Sequence, residues 1–146
     1  IIAIDLAGDE VRFPAELFAE HFKLARQSGW RVTAHAGESA GPESIWKALL
    51  ELGAERIGHA VSALQDPLLI EHMRDNKIAI ECSLTSNVQT STVSNYQSHP
   101  IRQFLELGLL ATINTDDPGI SGIDLRHEYE FAAPAAGLNI EQIHKL

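Results

Sequence analysis

Arg31-Val32-Thr33-Ala34-His35-Ala36-Gly37-Glu38 reads as the end of a strand and the start of a reactive turn. The β-prone run Arg31 to Thr33 carries an imidazole to its C-terminal tip, and Ala36-Gly37 then allow the backbone to turn sharply. Three positions past the histidine stands Glu38, with no charged residue beside it in sequence. That pattern suits a site where a metal or a polar substrate meets a proton-transferring carboxylate. By itself it equally describes a packed or hydrogen-bonded structural histidine. The neighbouring stretches decide between the two.

Upstream, Ile1 to Leu6 is an apolar run broken only by Asp5, as expected of a strand buried on both faces of a parallel sheet. It stops at Ala7-Gly8-Asp9-Glu10. From Pro14, the positions Leu17, Phe18, His21, Phe22 and Ala25 form a helical stripe that Gly29 closes. Downstream, Gly41-Pro42 opens a helix through Ile45, Ala48, Leu49 and Leu52, closed by Gly53, and Arg56 to His59 is a third strand. Asp66-Pro67 starts a helix with Leu69, Ile70 and Met73 on one side. Ile78 to Cys82 is the fourth strand, and Ser83 to Ser98 reads as a polar loop. Pro100 starts a helix through Ile101, Phe104 and Leu105 to Gly108. Leu109 to Ile113 is the fifth strand, ending in Asn114-Thr115-Asp116-Asp117-Pro118, with helical patterns after Gly122 and again from Ile140.

Strand and helix thus alternate five times, at a period of roughly thirty residues. That is the signature of βα units and a parallel sheet. Two α/β folds compete, an open doubly wound sheet and a TIM (β/α)8 barrel. A whole barrel needs about 250 residues, so 146 supply only part of one, the equivalent of about five βα units. The turn after the first strand has one glycine, Gly8, and lacks the Gly-x-Gly-x-x-Gly fingerprint, which weighs against a dinucleotide-binding sheet.

Length and composition favour one soluble globular domain over residues 1–146, with 45% hydrophobic and 21% charged residues. A net charge of −9 argues against a nucleic-acid partner and for a small-molecule substrate. No apolar run would span a bilayer, and the single cysteine, Cys82, fits a reducing cytoplasm. The chain opens inside a strand-like run without methionine and closes inside a helical pattern. The expectation is an internal piece of a longer protein.

Every strand is followed by polar or titratable residues: Gly8-Asp9-Glu10, His35 with Glu38, His59, Ser83 to Asn87, and Asp116-Asp117. In a barrel these ends share one rim, where active sites are built. Each has a structural reading of its own; Asp116-Asp117-Pro118, for example, suits a helix N-cap. Those separate readings do not explain convergence on one side. His21, His72, His99, His127 and His144 lie in or at helices and are expected to be solvated or packing residues. Two histidines and a carboxylate close together also make a ligand set for a divalent metal such as zinc, and iron or cobalt fit the same donors.

The motifs Asp5-Leu6-Ala7-Gly8-Asp9-Glu10, His35-Ala36-Gly37-Glu38, Gly58-His59, Ser83-Leu84-Thr85-Ser86-Asn87 and Asn114-Thr115-Asp116-Asp117-Pro118 resemble, in order and spacing, those of the adenosine deaminase family, most of all its bacterial form. The likeness runs over essentially the whole chain. It implies the C-terminal part of a zinc-dependent (β/α)8 barrel, roughly strands four to eight, that hydrolyses adenosine and 2′-deoxyadenosine to inosine products and ammonia. It implies His35 and Asp116 as zinc ligands and Glu38 as the acid that protonates purine N1. His59 would orient and help deprotonate the attacking water. Asp117 would hydrogen-bond N7, and the backbone N–H of Gly8 would meet N3. The family also carries two zinc-binding histidines in a His-x-His motif, and no His-x-His occurs here. The zinc site of this chain alone is therefore expected to be incomplete and the chain inactive, with exposed sheet edges prone to association.

Three other readings stay open on the sequence. One is adenine rather than adenosine as substrate. Another is a phosphate-binding barrel using Gly119 to Gly122. The third is a truncated barrel kept for binding. The unrelated zinc deaminases with a Pro-Cys-x-x-Cys signature are excluded, since only Cys82 is present.

Overall fold

Five short parallel strands pair side by side in the order of the chain: β1 (Ala3–Leu6), β2 (Arg31–Ala36), β3 (Arg56–His59), β4 (Ala79–Cys82) and β5 (Leu110–Ile113). They are seen in a computed structural model that describes residues 1–146. A doubly wound sheet reverses its strand order at a switch point, whereas a barrel adds each strand beside the last. The order here never reverses. The sheet is therefore an arc of a (β/α)8 barrel, and the competition between the two folds is settled by topology.

Helices return the chain between strands. A 3-10 turn, Ala15–Phe18, leads from Pro14 into α1 (Ala19–Gln27). α2 (Pro42–Lys47) continues as a wider turn, Ala48–Leu52, and ends at Gly53 in the left-handed region. α3 (Pro67–Asp75) starts where the Asp66 carboxylate accepts the N–H groups of Leu68 and Leu69, satisfying donors that a helix start leaves unpaired. α4 (Leu84–Gln89), α5 (Ile101–Glu106) and α6 (Pro118–Ser121) follow, then helical turns from Leu125 to Ala135 and from Ile140 to Ile143. No helix is long and apolar enough to cross a membrane.

The period-2 alternation sends the two faces of the sheet to different tasks. Val32, Ala34, Ile57, Ile80, Cys82 and Ile113 pack outward against Phe22, Ile45, Leu52, Leu69, Met73, Ile101 and Phe104 of the helices. Burying each large side chain in that layer stabilises by about 1.5–3 kcal/mol. The other face carries Thr33, His35, Gly58, Glu81 and Thr112, with His35 paired to Gly58, Gly58 to Glu81 and Glu81 to Thr112. Polar groups at those positions leave that face for chemistry.

Two expectations need correction. Ile1 to Leu6 is not buried on both faces: Ile1 and Ile2 are 91% and 84% exposed, and β1 pairs on one side only. The segment Ser83 to Ser98 is not a plain loop either, since it holds α4 and a 3-10 turn, Tyr96–Ser98.

Candidate active site at the carboxyl rim

Gly8, His35, Glu38, His59, Asp116 and Asp117 line one cavity of about 590 Å3 at the C-terminal ends of the strands. All six residues singled out in the sequence thus meet, although they come from four different strand ends. Asp5, Glu81, Thr90 and Asn114 share the wall, so the cavity is strongly polar and acidic.

The two histidines touch. His59 Nε2 lies 3.2 Å from His35 Nδ1, and the rings meet edge to face with centroids 4.7 Å apart. Gly58 makes this possible: a Cβ there would sit 2.9 Å from His35 Cδ2, inside contact distance, so the ring lies against bare backbone. Gly37 has two reasons to be glycine, a φ of +73° and a Cβ position 2.5 Å from Ile45 Cδ1. His59 and Asp116 adopt φ of 68° and 58°, and Ala60 follows His59 at 50°. Such angles are uncommon outside glycine and persist only where the surroundings enforce them.

Enforcement comes from α4. Ser86 Oγ donates to Asp116 Oδ2 at 2.7 Å. Asn87 Nδ2 donates to Glu38 Oε1 at 3.2 Å and to His59 Nδ1 at 3.1 Å. Thr90 Oγ1 adds a longer contact to Glu38 Oε1, 3.4 Å, and His59 Nε2 stands 3.6 Å from Glu38 Oε2. His99, taken from sequence as a packing or solvated residue, is buried and hydrogen-bonded to Asn87 Oδ1 at 3.2 Å. Burial holds the His59 imidazole below the usual histidine range, against the opposing pull of the Glu38 charge. Burial likewise pushes His99 down to about 4. Both rings are neutral at pH 7.

Glu10 is a site residue that the sequence reading left unassigned beyond its motif. Its Oε1 accepts the backbone N–H groups of Glu38 and Ala40 at 2.8 Å each, and of Ser39. Its Oε2 accepts Gly37 N–H at 2.8 Å and Ser44 Oγ–H at 2.6 Å. One carboxylate from the loop after β1 thereby gathers the loop that presents Glu38. Burial raises its pKa, yet the Ser44 hydroxyl and the Ala40, Ser39 and Gly37 amides outweigh that and hold it below the usual glutamate value. No sequence pattern announces a carboxylate whose partners are backbone amides 27–30 positions away.

His35 and Asp116 supply nitrogen and carboxylate donors of the kind zinc takes, and Ser86 engages only one of the two Asp116 oxygens. No group of three or more His, Cys, Asp or Glu side chains is arranged to hold a metal. By donor type, His35 and Asp116 would supply two of the four ligands of a tetrahedral site.

The family model for adenosine deaminase matches residues 1–146. An adenosine deaminase of Klebsiella pneumoniae is 60% identical over 145 residues, which cover 99% of this chain and 44% of that protein. The chain therefore spans less than half the length of the curated relatives it matches. Among solved structures, an adenine deaminase from Arthrobacter aurescens superposes with a TM-score of 0.95 at 27% identity, over 100% of this chain and 45% of that one. An amidohydrolase from Burkholderia ambifaria, solved with bound zinc, gives a TM-score of 0.89 at 27% identity, over 99% of this chain and 41% of its own.

Proposed function

This chain belongs to the adenosine deaminase family, and on that premise we propose that it is the C-terminal part of a longer enzyme that deaminates adenosine and 2′-deoxyadenosine by hydrolysis. The observation that carries the proposal is the convergence of Gly8, His35, Glu38, His59, Asp116 and Asp117 on one cavity. Water is consumed and ammonia released, so the amino group at C6 of the purine is replaced by oxygen.

His35 and Asp116 would hold zinc together with donors from the rest of the polypeptide. When bound, the cation supplies Lewis acidity that brings the pKa of a water down to about 7. Glu38 delivers the proton to N1, which keeps negative charge from building on the ring as C6 is attacked. Asn87 occupies Glu38 Oε1, which leaves Oε2 as the oxygen that faces the reaction. The Asn87 amide also donates to His59 Nδ1, so the neutral ring carries its proton on Nε2 and would orient the attacking oxygen by donating to it; of the two roles expected of His59, orienting fits this tautomer and taking the water's proton does not. Gly8 and Asp117 line the same cavity, where the Gly8 N–H would meet N3 and Asp117 would hold N7.

Glu38→Gln in the full-length polypeptide tests the assignment. Turnover of adenosine should fall by at least about a hundredfold, the usual scale of acid catalysis, while zinc content is unchanged. Retained turnover would refute Glu38 as the proton donor.

The likeness to an adenine deaminase structure favours a second reading, adenine as the substrate. Measuring kcat/KM for adenosine and adenine side by side separates the two, and the closer identity to adenosine deaminase favours the nucleoside.

A further inference from the structure

Resting on the deaminase reading above, we propose that His99 and Asn87 form a one-way hydrogen-bond relay that fixes which face of the Asn87 amide meets Glu38 and His59, making both positioning residues for the reaction. The directions follow from one donor that cannot be reversed. The backbone N–H of Ile101 donates to His99 Nδ1 at 3.1 Å, so that nitrogen is an acceptor. His99 is 3% exposed and its neighbours hold no carboxylate that would favour a second proton, so the ring is neutral and its single proton sits on Nε2. Nε2–H then donates to Asn87 Oδ1 at 3.2 Å. With its oxygen committed, the fully buried Asn87 can present only its NH2 group to the cavity. The two hydrogens of that group go to Glu38 Oε1 and His59 Nδ1.

Without His99 the amide has no reason to keep this orientation. A flip would set its oxygen against the Glu38 carboxylate and remove the donor from His59 Nδ1. The His59 proton would then move freely between its two nitrogens, and the Nε2–H that faces the cavity would be lost part of the time. His99 touches neither Glu38 nor His59 by hydrogen bond, so its hydrogen-bonded link to both runs through Asn87.

The test uses the full-length, zinc-loaded polypeptide with 15N-labelled histidine. Long-range 1H–15N spectra of the wild type should show His99 and His59 both protonated on Nε2 at pH 7. His99→Phe keeps a planar ring and deletes the donor. It should mix the His59 tautomers and lower kcat by about tenfold or more, with KM within about twofold and zinc content unchanged. His99→Gln, whose amide N–H reaches a similar place, should recover most of kcat and the single His59 tautomer. A wild-type His99 carrying its proton on Nδ1 would overturn the relay, as would His99→Phe with an unaltered His59 tautomer. Should His99→Phe fail to fold, the wild-type spectrum and the glutamine variant still decide. Absence of purine turnover in the wild type would refute the deaminase reading instead, and leave the tautomer measurement as the judge of the relay.

Discussion

Removing the Glu10 carboxylate should loosen the loop that carries Glu38 more than any other single change outside the cavity wall. Four consecutive backbone N–H groups, Gly37 to Ala40, and the Ser44 hydroxyl all converge on it. A hydrogen bond to a charged group contributes about 1.5–3 kcal/mol when nothing replaces it. Part of this loop is open to solvent, so water takes over some donors, and the five contacts will not add. We expect Glu10→Ala to cost about 2–4 kcal/mol of local stability, within the range for breaking a half-buried network. Glu10→Gln should cost less, about 1–2 kcal/mol, because its amide oxygen still serves some of the donors and its NH2 opposes the rest. Amide hydrogen exchange reads this directly: residues 37–40 should exchange faster in Glu10→Ala by a factor of about 30 or more, while amides of β3 and β4 stay protected. Since a misplacement of about 1 Å can cost a hundredfold in rate, kcat should fall by roughly that factor with zinc content unchanged. Unaltered exchange at residues 37–40, or a kcat within twofold of wild type, would show that the clamp is incidental.

Acid should weaken the fold in two stages. His99 has a folded value of about 4 against an ordinary 6.5, so the unfolded chain takes up the proton first and stability falls as pH drops across that window, by up to about 3 kcal/mol. Below an ordinary 4.5, protonation of Glu10, whose folded value is depressed, removes a further contribution that is fully present at higher pH. Denaturant midpoints of the full-length protein between pH 7 and 4 should show the first slope in the wild type and a much shallower one in His99→Gln; equal slopes would refute His99 as its source. Gly58→Ala should push the His35 ring off the β3 backbone and weaken zinc binding by about tenfold or more, with far-ultraviolet circular dichroism unchanged. Zinc affinity equal to wild type would show that the close approach is dispensable. The 146-residue chain alone should show no deaminase turnover and should associate with rising concentration, because β1 and β5 each pair on one side only. A monomeric species by light scattering, with turnover, would contradict both statements.

Much of this was legible in the residues. The strands that lead to His35, His59 and Asp116 could be read because apolar runs of strand length end at glycine, proline or clustered polar residues, and α3 because Asp66-Pro67 is a strong start signal. The sheet order, which chose barrel over doubly wound sheet, required the pairing itself. α4 escaped notice because Thr85, Ser86 and Asn87 compete for their own backbone and disfavour helices. Tertiary contacts override that preference: the buried Glu128 accepts the Thr85 N–H at 3.2 Å, and Ser86 and Asn87 turn their polar ends to Asp116, Glu38 and His59. Glu10 and His99 were hidden for a related reason. Their partners are far away in sequence, and a lone acid or a histidine before proline looks the same whether it faces water or anchors a network.

The left-handed backbone at His59, Ala60 and Asp116 has an implication for how such a chain can change over time. If His59 and Asp116 act as proposed above, the side chain that turnover requires at each is one the local backbone would rather exchange for glycine, so selection for catalysis and selection for robust folding pull against each other at those two residues. A lineage released from making the product would be expected to drift first there, gaining stability as it gives up chemistry. Glycine at position 59 or 116 in a relative would mark that release.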